Sequence, residues 1–117
     1  MVATIKNKLG RVIIAEKVLR YLAAESASEA YGIVGLAALN VKDGLFELLG
    51  VESRSKGVRI SVENDKIDIE LTVIMEYGVR IAVVAENIIE KVKYNVESNT
   101  NIEVNSVNVV VQGIRVR

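Results

Sequence analysis

The chain has 117 residues, half of them apolar, and its 15 Lys and Arg residues balance its 15 Asp and Glu residues. A net charge of zero argues against nucleic acid as a partner, because nucleic-acid-binding domains are usually basic, and it permits self-association. Cysteine and histidine are absent, which excludes disulfides, thiol nucleophiles, Ser-His pairs and zinc sites built on Cys or His.

The length is typical of one domain, so we expect a single domain over residues 1–117. No run of about 18 apolar residues occurs, so we expect no membrane-spanning helix. Charged residues interrupt the N-terminal segment, which does not match a secretory signal. These features together predict a cytoplasmic protein.

The first part of the chain predicts a short strand, a helix and a second strand. A brief apolar run covers residues 12–14, and apolar residues recur at helical spacing from Ala15 onward, including Val18. Gly32 is a typical residue to follow a helix end, because glycine accepts the left-handed conformation found there. The segment 33–41, IVGLAALNV, then predicts a buried and irregular strand.

Two shorter elements are expected before the middle of the chain. Asp43 is a candidate N-cap for a short helix over residues 44–49, which Gly50 would close. The polar segment 50–57 predicts a flexible loop.

The strongest local pattern predicts a β-hairpin. Apolar and polar residues alternate over 58–63 and again over 66–73, with Asn64 and Asp65 between them. A two-residue turn there places every apolar side chain on one face of the hairpin. It also places Arg59 opposite Glu70, which is a favourable cross-strand pair.

The last part of the chain predicts a helix followed by a strand. The helix stripe comprises Ile81, Val84, Ala85, Ile88 and Val92. The final strand changes its apolar phase at Asn105 and Ser106, which predicts a β-bulge. Because a helix separates this strand from the hairpin, we expect a right-handed crossover to a parallel partner. The fold class is therefore α+β, a two-layer sandwich of a mixed β-sheet with two long helices on one face.

Three candidate catalytic, RNA-binding or metal-binding motifs are better explained structurally. Glu76-Tyr77-Gly78 offers an acid and a base, but it lacks a partner at a known spacing and resembles a hinge. Gly32 and Gly35 match a bare G-x-x-G without the basic residues of RNA-binding loops, and close packing explains them. Asp65, Asp68 and Glu70 do not have the spacing of a metal loop. We therefore expect no catalytic residues, no metal and no cofactor.

Two surface features remain as candidate binding sites. Arg54, Lys56 and Arg59 form a small basic group that is a candidate site for an anion such as a phosphate or a lipid headgroup. Ile74 and Val110 each fall on the polar face of their strand. If the two strands are parallel neighbours, these residues form an apolar patch suited to self-association.

The chain resembles the alkaline shock protein family, also called the envelope stress response proteins, from about Gly10 to Ile114. The most specific part is Glu76-Tyr77-Gly78 with the apolar stripe of the helix that follows it. Further matching residues are Gly10, Val18, Ala23, Ser55, Lys56, Gly57, Val58, Val104, Val107, Asn108, Val109 and Val111.

This resemblance implies a small, non-enzymatic protein connected with cell-envelope stress. In the family some members self-assemble at the inner face of the membrane and are held there by a separate membrane-anchored partner. The leading expectation is therefore a homo-oligomeric interaction protein, cytoplasmic or peripheral at the membrane through a partner. The alternative is a domain that binds an anionic ligand, RNA or a phospholipid headgroup, through Arg54, Lys56 and Arg59.

Overall fold

A computed structural model describes residues 2–40, 42 and 44–116. Seven strands, two α-helices and one 3-10 helix are formed by these residues. In chain order they are β1 (Val2–Asn7), β2 (Gly10–Ala15), α1 (Glu16–Ser28), β3 (Ile33–Asn40), β4 (Leu45–Leu48), the 3-10 helix (Val51–Gly57), β5 (Val58–Glu63), β6 (Lys66–Glu76), α2 (Ile81–Thr100) and β7 (Glu103–Arg115).

Strand β6 lies at the centre of the main sheet. On one side it pairs in parallel with β7 along its whole length. On the other side its first half pairs antiparallel with β5, and its second half pairs antiparallel with β3. Strand β4 extends the sheet beyond β3. The mixed sheet of the predicted α+β fold is thus confirmed.

Both helices pack on the same face of this sheet and enclose the core. The core residues of β6 are all 0% exposed: Ile67, Ile69, Leu71, Val73 and Met75. The helices cover them with Leu19, Ala23, Ala27, Val84, Ile88, Val92 and Val96. Alternation at a period of two in β6 and of about 3.6 in the helices explains this arrangement. Val18 and Ile81, which the sequence placed in the helix stripes, lie at their margins and are each 42% exposed.

The register of the β5–β6 hairpin is as predicted. Asn64 and Asp65 form the turn with φ of 52° and 63°, the left-handed conformation that a two-residue turn requires. Arg59 lies opposite Glu70, with 3.7 Å between the guanidinium and carboxylate. The parallel crossover to β7 is confirmed, and so is the bulge at Asn105, where the β6–β7 register shifts.

Two predictions for the segment 44–57 were wrong. Residues 45–48 form strand β4, not a helix, and residues 51–57 form a 3-10 helix, not a loop. Four residues are too few to distinguish a helix from a strand by periodicity, and pairing with the edge of β3 decides the outcome. Asp43, the proposed N-cap, lies outside the described residues.

Strand β1 was not predicted from the sequence, and it pairs with β2 in a separate two-stranded sheet. The Asn7 side-chain oxygen accepts hydrogen bonds from the backbone N–H groups of Leu9 and Gly10, at 2.8 and 3.1 Å, and fixes the turn. Ala3 is 3% exposed and joins the core. This hairpin is thus anchored at its base, while Leu9 at its tip is 99% exposed.

Candidate functional surface

The main sheet has an open face, which is the face that points away from α1 and α2. Strand β6 presents Asp68, Glu70, Thr72 and Ile74 to it, alternating with the core residues. Along β6 this face therefore changes from charged to apolar.

The charged half is held together by side-chain contacts between β6 and β7. The Asp68 carboxylate accepts hydrogen bonds from the Ser106 hydroxyl at 2.6 Å and the Asn105 side-chain amide at 2.9 Å. The bond from Ser106, and then that from Asn105, lowers the pKa of Asp68 below its ordinary value. The bulge at Asn105 brings two donors to one carboxylate. These contacts tie β7 to β6 at the start of the parallel pair.

The other half of the open face carries an apolar patch, defined as Ala37, Leu39, Phe46, Leu48, Ile74 and Val110. Ala37 and Leu39 alternate on β3, and they pair with Leu48 and Phe46 of β4, so these four side chains share a face. Leu39, Phe46 and Leu48 are 51%, 40% and 38% exposed. Ala37 and Ile74 are buried, yet neither belongs to the main core. A second apolar cluster therefore lies on the outside of the sheet.

Glycine makes room for this patch in the sheet. A β carbon at Gly35 would lie only 2.9 Å from Leu48 Cδ1, so the Leu48 side chain lies directly over Gly35. Gly35 pairs with Ile74, and Ile74 pairs on its other side with Gly113. The two glycines flank Ile74, which leaves a shallow site for neighbouring side chains.

A hollow of about 260 Å³ joins the patch to two cations. Leu39, Phe46 and Val110 contribute apolar side chains to its lining. Lys56 and Arg59 contribute positive charge, and Glu70 contributes a negative charge next to Arg59. The site has the composition of a protein contact surface, in which an apolar centre is bordered by charge.

The predicted pair of Ile74 and Val110 is only partly realised. Both lie on the open face, but Val110 pairs with Thr72, while Ile74 pairs with Gly113 after a register shift between Val73 and Ile74. Their strands β6 and β7 are parallel neighbours, as the prediction required, and the two residues share the open face without pairing directly. Ile74 is also 4% exposed, so it supports the patch from below.

The predicted basic group does not converge on one point. The Arg54 guanidinium contacts the Glu25 carboxylate of α1 at 3.4 Å, which holds it toward the helix. Lys56 and Arg59 line the hollow on the open face, where Arg59 also contacts Glu70. Two of the three predicted cations thus share a site.

The two glycine-containing motifs have structural roles. Gly78 has φ of 94° in the turn between β6 and α2, so this glycine lets the chain turn from the strand into the helix. Tyr77, 73% exposed, donates its backbone N–H to the Arg115 carbonyl at 2.8 Å. A β carbon at Gly32 would lie 2.8 Å from the Val84 side chain, so close packing against α2 accounts for this glycine.

Several exposed apolar residues of the patch were not predicted from the sequence. Phe46 and Leu48 lay in a segment predicted as a helix, where a shared strand face was not visible. The sequence does show apolar residues at 39, 46 and 48 on either side of a short gap. Only the β3–β4 pairing, however, places Leu39, Phe46 and Leu48 on one face. No helix in the described part of the chain is long and apolar enough to cross a bilayer.

Comparison with protein families gives a match to the alkaline shock protein 23 family, described as having a cell envelope-related function, over residues 4–116. Protein YloU of Bacillus subtilis is 42% identical over 113 residues, which cover 96% of this chain and 94% of YloU. Protein Spy1614 of Streptococcus pyogenes is 36% identical, with 99% of this chain and 97% of Spy1614 covered. Both relatives are described as uncharacterized.

Comparison with solved structures gives the MamM CTD at a TM-score of 0.51 and 14% identity, covering 88% of this chain and 100% of that chain. A copper form of a MamM CTD variant has a TM-score of 0.52 at 13% identity and covers 85% of this chain and 98% of that chain. At this identity the likeness concerns the fold alone.

Proposed function

This chain belongs to the alkaline shock protein 23 family, whose function is related to the cell envelope, and we propose that it is a non-enzymatic, self-associating interaction module. It works by presenting the apolar patch of the open face to another protein. That protein is a further copy of the chain or a membrane-anchored partner, which would place the module at the inner face of the membrane.

The observation that carries this proposal is the exposure of large apolar side chains next to each other on one surface. Leu39, Phe46 and Leu48 are each more than a third exposed. Isolated apolar residues are common on protein surfaces, but a contiguous group bordered by charge is typical of an interface. Phe46 is the only phenylalanine of the chain. Aromatic residues are enriched in protein contact surfaces.

The absence of charge repulsion also favours self-association. The chain carries no net charge, so copies do not repel one another over long distances. At one border of the patch Arg59 contacts Glu70, which lines the same hollow, whereas Lys56 favours an occupant with a carboxylate at its rim.

The proposal is tested by measuring absolute mass by light scattering over a wide range of protein concentration. We expect a mass above 12.8 kDa that rises with concentration for the natural sequence. Phe46→Ser should lower the mass at a given concentration, because it removes the aromatic side chain from the patch. Tyr94→Ser is the matched control, since Tyr94 is 70% exposed on α2, away from the open face.

A constant mass of one chain for the natural sequence would contradict the self-association. An equal loss of mass in both variants would show that the patch is not the contact surface. Circular dichroism and thermal unfolding of both variants would verify that neither substitution unfolds the domain.

A second candidate function is binding of an anion, such as a phospholipid headgroup or RNA. It is favoured by Lys56 and Arg59 lining one hollow, and it is weakened by the contacts of Arg54 with Glu25 and of Arg59 with Glu70. Binding to anionic vesicles that falls with salt and is lost on replacing Lys56 and Arg59 by Ala would support it. Arg54→Ala should have little effect, and an equal effect of all three substitutions would contradict a site in the hollow.

A further inference from the structure

Strand β7 forms a long outer edge of the main sheet. It spans 13 residues and pairs only with β6 among the described residues, so its opposite edge has no strand partner there. Such an edge exposes backbone N–H and C=O groups that can pair with another strand. Proteins usually protect long edges with lysines, prolines or inward-pointing charges.

The sequence of β7 lacks most of these protections. Between Glu103 at its start and Arg115 at its end there is no charged residue and no proline. Four valines, at 107 and 109–111, give the middle of the strand a high β propensity. Bulges near Asn105 and Gln112 disturb only the two ends and leave a regular segment between them. This segment is suited to pairing.

We propose that β7 pairs antiparallel with β7 of a second copy of this chain, around a two-fold axis that passes through Val109. This inference rests on the proposed self-association and adds a second contact, at the sheet edge, to the contact through the apolar patch. It places Glu103 of each copy, which also contacts Lys66 of its own chain at 3.0 Å, opposite Arg115 of the other, so the charges at the two ends of the strand are complementary. A two-fold axis produces this contact twice, since both copies use the same surface.

The proposed register also matches the faces of the strand. Side chains of directly opposite residues lie on the same face of an antiparallel pair. Val107 and Val111 both point toward the helices, because they pair with the core residues Ile69 and Val73, and in this register they lie opposite each other. On the open face, Asn108 lies opposite Val110.

Neighbouring registers fit less well because of the two bulges. Moving the axis by one residue to Val110 would place Val107, on the helix-covered face, opposite Gly113, on the open face. An axis at Asn108 would place Val104, which is on the helix-covered face, opposite Gln112, which lines the hollow on the open face. With the axis at Val109, opposite residues lie on the same face of the sheet on both sides of the bulges. The same register also places Glu103 opposite Arg115.

The β7–β7 pairing would bury apolar side chains of β7 that are partly exposed in a single copy. Ile114 is 48% exposed, and Val109 and Val111 are partly buried at the margin of the core. The pair would form one continuous sheet with β4 at each outer end, and the apolar patch of each copy would extend from β4 to Val110 at the seam. Each pair would thus present two patches to further copies or partners, which raises apparent affinity through multivalency.

The absence of cysteine in the chain allows a direct test of the register by disulfide cross-linking. Asn108→Cys and Val110→Cys proteins are mixed and oxidised with diamide. Opposite residues of an antiparallel pair have Cα atoms about 4.5–5.5 Å apart, within the range that a disulfide spans. Each variant alone offers only diagonal neighbours at roughly 7–8 Å, which is too far for efficient cross-linking.

We expect several-fold more covalent dimer in the mixture than in either variant alone. The background is set by mixing Asn108→Cys with Ser61→Cys, because Ser61 is exposed on β5, away from this edge. Strong cross-linking of one variant with itself would contradict the register. No cross-linking above background, in a protein whose mass exceeds one chain, would overturn the β7 pairing and leave the self-association standing. A protein of one-chain mass at all concentrations would overturn both.

Discussion

The two faces of β6 differ in what their residues do. On the helix-covered face five apolar residues alternate without interruption, and all are 0% exposed. On the open face Asp68 and Glu70 make polar contacts at one end, while Ile74 supports an apolar patch at the other. The regular face stabilises the fold, and the mixed face offers surface for binding. Substitutions on the two faces should therefore separate stability from association.

The largest effect is expected on the helix-covered face. Leu71→Ala removes a side chain that is 0% exposed and leaves a cavity beneath the helices. We expect a loss of about 2–5 kcal/mol in the free energy of unfolding. Urea denaturation monitored by circular dichroism measures it. A loss below about 1 kcal/mol would show that this face collapses around the cavity.

A smaller loss in the free energy of unfolding is expected at Ile74, which is buried although it lies on the open face. It is 4% exposed but does not belong to the main core. Ile74→Ala should cost about 2 kcal/mol, at the low end of the range for buried isoleucine, because neighbouring side chains can partly fill the space. The same denaturation experiment applies. A cost equal to that of Leu71→Ala would mean that the open face is packed as tightly as the core.

The exposed pair Arg59 and Glu70 should contribute less again. Its side chains are 83% and 43% exposed, and the two charged groups lie 3.7 Å apart. A double-mutant cycle with Arg59→Ala and Glu70→Ala should give a coupling of about 0.2–1 kcal/mol that decreases with salt. A coupling that does not change with salt would contradict a solvent-screened pair.

The smallest effect concerns pH and Asp68. Its pKa is lowered below 3.8 in the folded chain, mainly by the Ser106 hydroxyl and then by the Asn105 amide. The hydrogen bonds therefore stabilise the fold fully above that value, and the contribution is lost as pH falls through the folded pKa. Ser106→Ala should reduce the fall in stability below pH 3.8, as measured by thermal melts across a pH series. An unchanged pH dependence in this variant would contradict the assignment.

The elements that could be predicted from sequence are those whose local pattern agrees with their tertiary contacts. The β5–β6 hairpin was predicted with its register, because Asn64-Asp65 and the alternation specify the same pairing. The bulge at Asn105 was visible as a change of phase in β7. In both cases the local signal is independent of distant residues.

The elements that could not be predicted depend on pairing with distant residues. Strand β4 has only four residues and is held by β3, so its composition alone did not distinguish it from a helix. The apolar patch could not be predicted for the same reason, because its residues come from β3, β4, β6 and β7 and meet only through strand pairing. Ile74 and Val110 were placed on the correct face, but the register shift that separates them was not visible in either strand alone.

The most direct test of an association through the open face and the β7 edge is amide hydrogen exchange measured at low and high protein concentration. We expect slower exchange at high concentration in β7, because a second copy would pair with its outer edge, and in β4, which carries Phe46 and Leu48 of the patch. The outer surfaces of α1 and α2 should exchange at the same rate in both conditions. Protection that appears only in the helices, or none at any concentration, would contradict the account.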